Sequence, residues 1–71
     1  MELIFETHDA GEGSFCAHAL GHAIFTEGET WEELRRNVFE AVDVHFEDKP
    51  ARPGLVRLHY IKDELIPLAA A

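Results

Sequence analysis

The chain is 71 residues long and carries 14 Asp and Glu against six Lys and Arg, a formal charge of −8, with one cysteine. That length allows one domain, 1–71, which buries only about 60% of its unfolded surface and needs a staple; Cys16 can pair only between chains, leaving self-association first and a metal second. The acidic surface argues against direct binding to nucleic acid or anionic membranes, no apolar run approaches the roughly 20 residues of a membrane span, and a lone thiol without a signal peptide points to the cytoplasm.

Residues 2–8 alternate as a strand, with Leu3 and Phe5 on one face and Ile4 on the other. Asp9-Ala10-Gly11-Glu12-Gly13 reads as a turn, because two glycines and an Asp supply the dihedrals a hairpin loop needs. Residues 14–20 and 22–26 are the second and third strands. Leu20-Gly21 forms a tight connection that pairs Ala19 with His22. The predicted result is a three-stranded antiparallel meander.

The stretch from Thr26 to Leu34 turns from extended chain into a capped helix. Gly28 is expected to take a positive φ. Thr30 is the N-cap, Glu33 completes a capping box three residues on, and Glu29, Glu32 and Glu33 sit at the positive end of the helix dipole. The helix is predicted over 31–46. Trp31, Leu34, Val38, Ala41, Val42 and His45 form its apolar stripe, widened by Phe39 and Phe46. Glu32, Arg36, Glu40, Asp43 and Glu47 occupy the solvated side.

Pro50 and Pro53 bracket a loop that ends the helix. Residues 55–62 alternate again, Val56, Leu58 and Tyr60 facing one way and Leu55, Arg57, His59 and Ile61 the other. This is a fourth strand, so the expected class is α+β with the order β-β-β-α-β. The tail over 63–71 is apolar and finds no cover in its own chain. Leu65, Ile66 and Leu68 are therefore candidates for a contact between copies.

Five histidines raise the question of a metal. His18 and His22 are the closest pair, but the expected hairpin places His18 opposite Ala23 and turns the two rings apart. No Cys-x-x-Cys or His-Glu-x-x-His pattern accompanies them. His45 falls on the helix stripe and His59 on a strand, where partly buried structural histidines are common. Cys16 lies mid-strand between Phe15 and Ala17, with nothing local to lower its pKa. Gly11 and Gly13 join two strands rather than opening a helix, so they make no phosphate cradle. Neither a metal, a cofactor nor a catalytic residue is assigned, and the chain is not expected to be an enzyme.

Gly13-Ser14-Phe15-Cys16-Ala17, Gly21, Thr26-Glu27-Gly28-Glu29-Thr30-Trp31-Glu32-Glu33-Leu34, Asn37 and Glu40-Ala41-Val42 together resemble the HicB family. These proteins are the antitoxin halves of HicA–HicB toxin–antitoxin pairs. The resemblance covers about residues 2–62 and rests on the order and spacing of the pieces more than on any one of them. It implies a fold similar to a truncated ribonuclease H. It also implies binding and neutralisation of a small basic RNA-cleaving toxin of the HicA type. The chain departs from the family's pattern in three places. No proline precedes Gly21, no helix-turn-helix or ribbon-helix-helix segment follows the fourth strand, and no set of metal-binding carboxylates is identifiable. A short stand-alone member without operator binding or nuclease activity is expected.

An acidic surface would steer a basic partner. Asp9, Glu12, Glu27 and Glu29, on the two loops, are the candidate partner-binding residues, and each also reads as an ordinary solvated acid. Self-association into dimers or higher oligomers is expected through Leu65, Ile66 and Leu68. Two alternatives are a homo-oligomeric module binding a small molecule or another protein, and a metal-dependent hydrolase using His8, His18 or His22.

Overall fold

The computed structural model describes residues 1–69; the last two residues of the predicted tail lie outside them. Four strands and one helix follow in the order β1 (Glu2–Asp9), β2 (Phe15–Ala19), β3 (Phe25–Gly28), α1 (Trp31–His45) and β4 (Leu55–Ile61). The class is α+β, with the helix on one face of a four-stranded sheet. The sheet is mixed, and a meander alone does not describe it. Strand order is β3-β2-β1-β4, with β4 parallel to β1 and the other pairs antiparallel. From β3 at one edge the chain can reach the far edge only by a crossover, and α1 provides it.

The β1–β2 turn is built on three consecutive residues of positive φ, Gly11 (90°), Glu12 (51°) and Gly13 (83°). Ser14 closes it, its N–H and its hydroxyl both donating to the Gly11 carbonyl at 2.9 and 2.7 Å. Glu12 is the one non-glycine with positive φ among the described residues. A side chain there costs about 1–2 kcal/mol that glycine would not.

The β2–β3 connection is longer than expected. Ala19 N–H donates to Ile24 rather than pairing with His22, and His18 lies opposite Phe25 rather than Ala23. Leu20 N–H is drawn instead to the Ile4 carbonyl, and Gly21 turns the chain at a φ of 81°. The third strand therefore begins three residues later than predicted. His22 is left in the loop, edge-on to His45 and Phe46 with ring centroids 5.6 and 5.3 Å away.

Leu34, Val38, Val42 and the capping residue Phe46 are buried at four-residue intervals along the helix. They meet Leu3, Phe5, Ala17, Ala19 and Ile24, the small alanines of β2 letting the helix come close. Each large apolar side chain so buried contributes about 1.5–3 kcal/mol. Phe39, expected to widen the stripe, is 71% exposed, on the side of the helix that faces Val56 and Leu58 of β4 across an open hollow. Thr7 is fully buried on the same face, and its hydroxyl has no hydrogen-bond partner among the described residues.

Gly28 does not take a positive φ; only Gly11, Gly13 and Gly21 do among the glycines. What Gly28 supplies is room. A Cβ there would stand 2.5 Å from Leu34 N and 2.8 Å from Leu34 Cα. The end of β3 lies directly against the first helical turn.

Strand alternation leaves the opposite face of the sheet without a helix. On it stand Ile4, Glu6 and His8 of β1, Cys16 and His18 of β2, Phe25 and Glu27 of β3, and Leu55, Arg57, His59 and Ile61 of β4.

Candidate partner-binding surface

All the turns that carry candidate acids emerge at one end of the sheet. Asp9 ends β1 opposite Phe15 at the start of β2, and Phe15 faces Gly28 at the end of β3. The helix begins there, and the parallel β4 finishes there too, with Ile61 beside His8. The floor is aromatic. Phe15, Trp31 and Tyr60 meet edge to face with centroids 5.3–5.9 Å apart, joining β2, α1 and β4. Such pairs add about 0.5–1.5 kcal/mol each beyond the area they bury.

The helix start is held by a variant of the predicted capping box. Glu33 N–H donates to Thr30 Oγ1 at 3.1 Å, as expected. The Glu33 carboxylate, however, accepts from the N–H of Glu29 at 2.8 Å, one residue before the N-cap. Asn37 Nδ2 reaches the Glu27 carbonyl at 2.8 Å and ties β3 to the helix one turn further on.

Three of the four predicted acids are brought together. Glu27, Glu29 and Glu33 line a cleft of about 430 Å³ with Ala10, Ser14 and Gly28. Glu12, Ser14 and Glu29 line a second hollow of about 400 Å³ against it. No basic side chain lines either. Glu33 belongs to this surface, although the spacing of the capping box pointed only to a helix-capping role. Its place beside Ala10 and Ser14 depends on the β1–β2 turn meeting the helix start, which no local pattern encodes.

Asp9 is engaged differently. Tyr60 Oη donates to one of its oxygens at 2.7 Å, and Lys62 Nζ lies 3.4 Å from the other. The Tyr60 hydrogen bond chiefly holds the Asp9 carboxyl below the usual range, with Lys62 adding to it, although partial burial opposes the shift. The same bond raises the Tyr60 phenol. Asp9 thus clasps the ends of β1 and β4, half-neutralised by Lys62.

The apolar tail leaves from this end as well. Leu65, Ile66 and Leu68 are 97%, 67% and 90% exposed, and the tail forms no strand or helix through residue 69. The radius of gyration is 15.0 Å, against about 11 Å for a compact chain of this length. The extended segment accounts for the difference, and nothing among the described residues covers its apolar side chains. Acidic loops and an uncovered apolar arm therefore share one end of the molecule.

The chain is 32% identical over 65 residues to a UPF0150 protein of Thermotoga maritima, covering 92% of this chain and 90% of that one. A UPF0150 protein of Archaeoglobus fulgidus is 44% identical over 46 residues, 65% of this chain and 68% of the relative. No protein-family model and no solved structure matches the chain.

Proposed function

The chain belongs to the UPF0150 family, and we propose that it acts by stoichiometric binding, as a HicB-like antitoxin in the cytoplasm rather than as an enzyme. Its partner is a small basic RNA-cleaving toxin of the HicA type, whose RNA surface it covers. The observation that carries this reading is the acidic end, where Glu12, Glu27, Glu29 and Glu33 converge without a basic neighbour in either hollow. A surface that engages RNA is basic, so the two attract, and steering of this kind raises association rates by about 10- to 1000-fold at low salt. The order β3-β2-β1-β4, with β4 parallel to β1, supports the truncated ribonuclease H-like arrangement. Self-association proceeds through Leu65, Ile66 and Leu68, so that the arm of one copy is covered by another.

The test is purification of the tagged chain from its native host, with partners identified by mass spectrometry. A basic protein of under about 100 residues, the size of one small domain, is expected at near-equal amount. Charge reversal at Glu12, Glu27 and Glu29 together should slow its association and weaken the salt dependence. Recovery of copies of the chain alone would overturn the toxin partnership. The exposed arm would then favour a homo-oligomeric module for a small molecule or another protein.

A further inference from the structure

We propose that Glu6, His8 and His18 form a binding site for a divalent first-row transition ion, zinc foremost, on the helix-free face of the sheet. Glu6 and His8 are two residues apart on β1 and so share a face, and the β1–β2 register sets His18 directly opposite Glu6. One ligand atom from each residue lies within 4.8 Å of the others. His18 Nε2 is 3.5 Å from Glu6 Oε1. Two ligands on a tetrahedral zinc with bonds of about 2.0–2.1 Å stand roughly 3.4 Å apart, so this pair is already at coordination spacing. The imidazoles of His8 and His18 lie parallel within 3°, their centroids 6.2 Å apart. Rotation about χ2, a soft torsion in histidine, turns a nitrogen of each toward the carboxylate without moving either strand.

The chemistry of the donors agrees. Two imidazoles and one carboxylate are a common zinc set and leave a fourth position to solvent. Glu6 and His8 are half-buried and His18 exposed, so the ion has direct access. A chain of charge −8 attracts a cation. The ion would clasp β1 to β2, a staple that a domain of this size and without a disulfide lacks. The site is independent of the toxin partnership. By sequence spacing His18 and His22 are the closest pair, and no metal is assigned to them; the partners of His18 are ten and twelve residues away, and only strand pairing brings them near.

The test uses protein without a histidine tag, titrated with zinc chloride by calorimetry and with cobalt chloride by visible absorption. One ion per chain is expected, with the strong d–d bands of tetrahedral cobalt. His8→Gln or His18→Gln should weaken binding at least about 100-fold, since losing only an outer partner of a ligand already costs about 10- to 100-fold. His22→Gln, whose ring sits with His45 and Phe46, should leave it unchanged. In the unaltered chain, zinc should shift the imidazole ¹⁵N resonances of His8 and His18, a readout that does not depend on any variant folding. Absence of stoichiometric binding, or binding abolished by His22→Gln and not by His8→Gln and His18→Gln, overturns the assignment.

Discussion

Gly28→Ala separates two physical roles that glycine can play. Its φ lies outside the positive region, so backbone freedom alone predicts that alanine stabilises the fold by about 0.4–1 kcal/mol. The packing predicts the opposite. The new Cβ would meet Leu34 N at 2.5 Å, Leu34 Cα at 2.8 Å and Glu33 C at 3.0 Å, all backbone atoms that cannot swing aside. Ordinary carbon contacts lie near 3.5–4.0 Å, so β3 and the first helical turn must part by about 1 Å. Leu34 is fully buried, its N–H bonds the Thr30 carbonyl at 2.9 Å, and the cap bond from Glu33 lies beside it. Overpacking of this kind costs about 1–3 kcal/mol and a weakened cap about 1 more. After the favourable backbone contribution, a net loss of about 1–3 kcal/mol remains. A domain of this length has roughly 4–11 kcal/mol in all, and each kcal/mol moves its melting temperature by about 4–8 °C. Thermal and urea melts followed by circular dichroism should therefore place Gly28→Ala roughly 5–20 °C below the parent. Gly54→Ala is the control. Its Cβ meets open space at a φ that alanine tolerates, so it should be neutral or slightly stabilising. A Gly28→Ala chain as stable as the parent would refute the close-approach argument.

Four further outcomes are expected. Thr7→Val keeps the shape and removes a buried hydroxyl that has no partner among the described residues, so denaturant melts should show a gain of about 1–2 kcal/mol. Thr30→Ala removes the acceptor for Glu33 N–H and should cost about 1 kcal/mol in the same assay. Tyr60→Phe should raise the Asp9 titration midpoint, read by carboxyl ¹³C shifts, because the lowered value rests chiefly on that hydroxyl. The Asp9 contribution to stability is present above the ordinary carboxylate range and lost as pH falls through its lowered value. The Tyr60 contribution, from a raised phenol, holds below the ordinary phenol value and is lost as pH climbs through the raised one. An unchanged Asp9 midpoint in the phenylalanine variant would contradict both assignments. Replacing Leu65, Ile66 and Leu68 together by serine should reduce the mass seen by light scattering to that of one chain, with the circular dichroism spectrum unchanged.

Local chemistry made the elements legible. Alternation along Leu3, Phe5 and Thr7 marks β1, four-residue spacing from Leu34 to Val42 marks the buried helix line, and Thr30 with Glu33 marks its start within a residue. The uncovered arm at Leu65, Ile66 and Leu68 was equally plain, since an apolar run after the last strand has no face left to fill. These features depend on side-chain period and capping, which neighbours in the chain decide among themselves.

Pairing across the sheet lay beyond that reach. The parallel docking of β4 on β1, the long β2–β3 loop that carries His22 away from His18, and the clasp of Asp9 by Tyr60 all join residues that local period does not relate. Gly28 shows the same division at one atom. Its identity was evident from the chain, but its reason, a Cβ that would strike Leu34, exists only once the helix has folded back on β3. The meeting of Glu12, Glu27, Glu29 and Glu33, and of Glu6, His8 and His18, is likewise a property of register and turn length. Secondary structure is a nearest-neighbour quantity, whereas a site is set by which strands the core holds side by side.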